Sequence, residues 1–134
     1  MSSDKNINNE KSDKKEVILA KSAGFCFGVK RAVDTVYEQA GKENVYTYGP
    51  IIHNEEVVKD LERKGVHVIE DISQLDNIKN GTIIIRSHGV SKNVYDTIKE
   101  RGFEIVDATC PFVLKIHNIV KTESENGSQI VIIG

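Results

Sequence analysis

Short apolar runs alternate with amphipathic stretches from Glu16 onward, and glycine, proline or an Asn-Gly pair marks most of the changes. Runs rich in β-branched residues suit strands, whereas apolar residues recurring every three or four positions give a helix one buried face. Strands are therefore predicted at 17–20, 44–48, 66–69, 82–86, 104–106 and 129–133, with 82–86 the clearest because Thr-Ile-Ile-Ile-Arg follows Asn-Gly. Helices are predicted between them. The first carries Val29, Val33, Val36, Tyr37 and Ala40 on one face and stops at Gly41. The second spans 55–64, with Val57, Val58 and Leu61 inward. A third, capped by Ser91, runs to about Arg101, and a fourth starts at Pro111 and reaches about Glu125. Residues 71–79 read as a turn or one helical turn. Strand alternating with helix predicts an α/β fold of repeated βα units around a mostly parallel sheet.

Residues 1–15 break this pattern. They hold one aliphatic side chain after Met1 and read as a disordered leader, with too little to bury against the entropy of ordering. The rest has enough core for a globular domain: 39% of the chain is hydrophobic and 28% charged. Its apolar runs are too short to span a bilayer, and no apolar signal core follows the first lysines, so a cytoplasmic location is expected. A net charge of −2 argues against nucleic acid as a partner.

Charge and compartment give weight to the two cysteines. Cys26, in Ala-Gly-Phe-Cys-Phe-Gly-Val, and Cys110, in Asp-Ala-Thr-Cys-Pro-Phe-Val, each lie between a predicted strand and a predicted helix. A thiol at a helix N-terminus meets free N–H groups and partial positive charge, which favour the nucleophilic, metal-binding thiolate. His53 and His88 occupy equivalent places after other strands, so two thiols and two imidazoles are predicted to meet at one sheet edge. Imidazoles flanked by glycine, together with helix N-termini, suit a diphosphate. Thiolates suit zinc, copper(I) or an iron–sulfur cluster. Zinc fits by count but lacks closely spaced ligand pairs, and a cluster needs a further thiolate beyond residue 134. Other readings stay open: a cluster-free phosphate-binding module with structural cysteines, or a thiol enzyme with Cys110 as nucleophile and His88 as base. Gly24 and Gly28 read equally well as a tight turn, Lys30 and Arg31 as a solvated helix face, and His67 and His117 as structural.

Four motifs in order resemble one family. Ala-Gly-Phe-Cys-Phe-Gly-Val-Lys-Arg-Ala-Val at 23–33, Tyr-Gly-Pro-Ile-Ile-His-Asn at 48–54, Arg-Ser-His-Gly-Val at 86–90 and Asp-Ala-Thr-Cys-Pro at 107–111 are similar to those of the 4-hydroxy-3-methylbut-2-enyl diphosphate reductase (LytB) family, from about residue 16 onward. The resemblance implies reductive dehydroxylation of the allylic diphosphate to isopentenyl and dimethylallyl diphosphate, the last step of the methylerythritol phosphate route. It implies a 4Fe-4S cluster with Cys26 and Cys110 as two of three cysteine ligands, His53 and His88 on the diphosphate, and an electron donor such as ferredoxin or flavodoxin. It also implies a pseudo-symmetric reductase of three α/β domains. Here 16–110 would be the first, with strand 16–21 belonging to a third, and 111–134 would open an incomplete second. Because the chain stops at Gly134, short of the third cysteine and the proton-delivering glutamate, a fragment inactive alone is expected.

Overall fold

The computed structural model describes residues 15–134, so all but the last residue of the expected leader lies outside the described residues. Four strands form one parallel sheet: β1 (Val45–Tyr48), β2 (Val66–Ile69), β3 (Thr82–Ile85) and β4 (Glu104–Asp107). Their order is β2-β1-β3-β4, and the register pairs Val45 with both Val66 and Thr82, and Thr82 with Glu104. All four carboxyl ends therefore finish on one edge.

Side-chain alternation divides the core between the two faces of the sheet. Val45, Val66 and Ile84 point to one face, where Ala32, Val33 and Val36 of α1 (Phe27–Gln39) and Leu61 of α2 (Glu55–Arg63) cover them. Ile69, Ile83 and Ile85 point to the other, under Ile98 of α3 (Lys92–Glu100), Phe103 and Leu75 of the 3-10 turn Ile72–Asn77. Every residue of β3 is buried, which explains its unbroken apolar run: a central parallel strand has no solvent face. Tyr37 of α1 donates a 2.6 Å hydrogen bond to Asp60 of α2 and fixes the two helices on their shared face. That bond raises the tyrosine pKa and lowers the carboxylate's.

Capping follows the sequence closely. The Ser91 side chain accepts from the Val94 N–H, Asp71 and Gln74 make a reciprocal capping box, and Asn54 accepts from the Val57 N–H at 3.1 Å. Replacing Asn54 by Ala should cost about 0.5–2 kcal/mol in chemical denaturation, since it orphans a first-turn donor of α2. An unchanged midpoint would show the cap to be dispensable.

Two expected strands are not formed. Residues 17–20 and 129–133 adopt no regular structure, and Val17, Ile18, Val131 and Ile133 are 92%, 84%, 76% and 93% exposed. β-branched residues favour extended backbone, but a strand exists only where a neighbour supplies its hydrogen bonds, and neither segment has one here. The last helix, α4 (Pro111–Glu125), forms as expected but buries none of its residues, leaving Phe112, Ile116 and Ile119 more than half exposed.

Candidate functional site

The chain winds in opposite directions from β1 and β3. After β1 it crosses through α2 on one face to β2; after β3 it crosses through α3 on the other face to β4. The loops leaving these adjacent strands therefore diverge, opening a crevice at their carboxyl ends, where parallel α/β sheets bind ligands. His53 and His88 lie in those two loops. Their rings stack at 5.7 Å between centroids with 15° between planes.

Each ring is held from below. His53 is exposed, between the buried Ile52 and Asn54, the cap of α2. His88 lies in the turn closed by the Gly89 N–H donating to the Arg86 carbonyl at 3.0 Å. Partial burial, then the Arg86 charge and then His53, push the His88 pKa below its usual value. An imidazole so placed is mostly uncharged at neutral pH and is ready to gain a proton when an anion arrives.

Both cysteines are helix N-caps, Cys26 of α1 and Cys110 of α4, with Pro111 as the first residue of α4. Cys26 is exposed and Cys110 half-buried. Cys26 is preceded by irregular chain rather than by the expected strand, so packing of α1, not sheet position, brings it to this edge. Gly28 makes the connection between the thiols. A β-carbon there would collide with the Cys110 Sγ and come within 2.8 Å of its Cβ, so Cys110 rests on the first turn of the helix that Cys26 caps. Phe27, which follows Cys26, and Phe112, two residues past Cys110, meet edge-to-face at 6.2 Å as an exposed apolar pair in the first turns of α1 and α4.

The Cys110 loop is tied down on three sides. The Cys110 N–H donates to the Ser87 carbonyl at 2.8 Å, joining it to the His88 turn. Asp107 accepts from both the N–H and hydroxyl of Thr109, at 2.9 and 2.5 Å. Arg31 donates to the Thr109 carbonyl at 3.3 Å, so its side chain has a tether that a solvated helix face would lack. The sequence offered no signal for this beyond an arginine near Cys26. His67 lies exposed on edge strand β2, tilted 6.2 Å from Tyr46 and away from the crevice. His117 approaches Gly89 from α4, in an open cleft of about 1040 Å³ that Arg86 and His88 also line.

The family model described as "LytB protein" matches residues 17–134. The chain belongs to the LytB family. A 4-hydroxy-3-methylbut-2-enyl diphosphate reductase of Caldanaerobacter subterraneus subsp. tengcongensis is 51% identical over 122 residues, spanning 89% of this chain and 42% of that protein. The Pelobacter propionicus protein of the same name is 53% identical over 119 residues, or 88% and 41%. A solved structure of (E)-4-hydroxy-3-methyl-but-2-enyl diphosphate reductase superposes with a TM-score of 0.72 at 39% identity, covering 88% of this chain and 42% of that one. The Plasmodium falciparum reductase gives 0.71 at 35% identity, over 79% and 33%. This LytB-family chain thus spans less than half the length of the relatives it matches. Among its described residues no group of three or more His, Cys, Asp or Glu could hold a metal ion, and no helix is long and apolar enough to cross a membrane.

Proposed function

We propose that this chain supplies the first part of an iron–sulfur reductase that removes the hydroxyl of 4-hydroxy-3-methylbut-2-enyl diphosphate to give isopentenyl and dimethylallyl diphosphate. The observation that carries the reading is the joining of the thiol loops to the imidazole turn, through the Gly28–Cys110 packing and the Cys110–Ser87 hydrogen bond, in a LytB-family chain. Residues 16–110 would form its first α/β domain, with 16–21 pairing in a third, and 111–134 would begin a second.

The donor set fits the family's cofactor in part. Two thiols at helix N-cap positions, neither engaged in a cap hydrogen bond, suit soft iron, and Cys26 and Cys110 would hold two corners of a 4Fe-4S cluster whose remaining cysteine would come from outside these residues. When bound, the cluster supplies electrons and an iron site acting as Lewis acid toward the hydroxyl. This chain's residues do the rest of the work at this edge. His53 and His88 would donate to diphosphate oxygens and orient the substrate, while Phe27 and Phe112 offer apolar surface on the thiol-bearing helix ends. The electron donor would be a small redox protein such as ferredoxin or flavodoxin, and the setting cytoplasmic.

The test uses a polypeptide of the relatives' full length carrying this sequence, purified without oxygen. Iron and sulfide near four each per chain are expected, falling to background in Cys26→Ser. A colourless, iron-free product, or a variant with undiminished iron, would defeat the proposal. The 134-residue chain alone is expected to hold no stable cluster and to turn over no substrate.

A further inference from the structure

The crevice between β1 and β3 contains one charged side chain that the proposed chemistry leaves unused. Arg86 directly follows β3. Its Nε donates to the Gly89 carbonyl at 3.4 Å, so its side chain folds back over the turn that presents His88. The guanidinium end then extends across the crevice to Gly49, the residue after β1 and the start of the loop to His53. A β-carbon at Gly49 would collide with Arg86 Nη1 and lie 3.3 Å from Cδ and Cζ. Gly49 has φ of 69°, a left-handed conformation that glycine adopts without strain, and its N–H donates to Ile69 at 2.7 Å. One side chain thus touches both histidine-bearing loops at the point where they diverge.

We propose that Arg86 is a positioning residue that holds the His53 and His88 rings in register by spanning from the Gly89 carbonyl to Gly49. Two facing imidazoles are not held by their own attraction, and when protonated they repel each other. The loops also lead to helices on opposite faces of the sheet, so motions of α2 and α3 are transmitted separately to the two rings. A planar guanidinium wedged between the loops couples them, and lysine, a point charge without the Nε donor, is a poor substitute. The inference goes beyond the proposed function without needing a bound substrate, because its primary readout is the geometry of the two rings.

The experiment compares the 134-residue chain with Arg86→Lys, Arg86→Met, Gly49→Ala and the Arg86→Met/Gly49→Ala pair by NMR and thermal melting. Ring-to-ring nuclear Overhauser contacts between His53 and His88 are expected in the parent, to weaken at least about twofold in Arg86→Lys and to vanish in Arg86→Met, with the melting midpoint changing by only a few degrees. In the double variant the destabilisation from Gly49→Ala should be smaller than in the parent, because the side chain it strikes is gone. Retained ring contacts in Arg86→Met, or additive effects of the two substitutions, would overturn the proposal. Titration with inorganic pyrophosphate separates this inference from the functional one. If the parent binds none yet loses its ring contacts on Arg86→Met, the positioning role stands and the diphosphate reading fails. If the parent binds pyrophosphate and Arg86→Met keeps its ring contacts, the diphosphate reading stands and the positioning role fails.

Discussion

Replacing Gly28 by Ala should destabilise this chain by about 1–2 kcal/mol, although alanine is the better helix residue. Two effects compete. Inside a helix, Gly to Ala is favourable by up to about 1 kcal/mol, and less near an end. Against this, the added methyl would lie within 2.8 Å of the Cys110 Cβ and closer still to its Sγ. Overpacking of this kind costs about 1–3 kcal/mol where the neighbour cannot yield. Cys110 cannot easily yield: its N–H is held by Ser87 and the adjacent Thr109 carbonyl by Arg31. The clash therefore decides the sign, and urea denaturation would read it. Adding Cys110→Ala should recover part of the loss by removing Sγ. In a polypeptide of the relatives' full length, and on the proposed cluster ligation, Gly28→Ala should lower bound iron nearly to the level of Cys26→Ser, since it separates the two thiol-bearing helix ends. A Gly28→Ala chain as stable as the parent would mean that Cys110 does not rest on α1.

Gly28 also shows where sequence reading reached its limit. A glycine two residues past Cys26 reads as a turn former, yet its place is inside α1, where it matters for the space it leaves and not for its backbone freedom. Such a need is set by what packs against the residue from 82 positions away, the difference between 110 and 28. Local signals fared better. Glycine stops, the Ser91 cap, Pro111 and the β-branched run of β3 located four helices and four strands, because each acts within a few residues. The strands expected at 17–20 and 129–133 failed for the opposite reason: their composition is right, but pairing is not a local property. The imidazole pair was legible because parallel topology sends every strand end to one edge. The ties made by Arg31 and Arg86 were not, because an arginine's reach is long and its partners here are backbone atoms and a glycine.

Inorganic pyrophosphate should bind the parent chain at least about tenfold more tightly than it binds His88→Ala near pH 6, and this difference should shrink as the pH rises above about 7.5, where an imidazole is rarely charged. A hydrogen bond from a charged donor contributes about 1.5–3 kcal/mol, and about 1.4 kcal/mol corresponds to a tenfold affinity change. The sign of the pH effect follows from the free site. Burial, Arg86 and His53 hold the His88 pKa down. The folded chain therefore loses stability as pH falls from the imidazole's ordinary value toward its depressed one, because the unfolded chain takes up the proton first. A bound anion reverses that bias, so binding takes up a proton and tightens over the same window. Comparing parent with variant cancels the ligand's own titration. NMR titration of the His88 ring should show its pKa rising when pyrophosphate is added, and equal affinities across the pH range would remove His88 from the anion site. Arg86 is charged throughout this range, so the pH dependence reports the second positive charge: His88 stays mostly neutral in the empty crevice, and a diphosphate would bring enough negative charge to draw in the proton that then holds it.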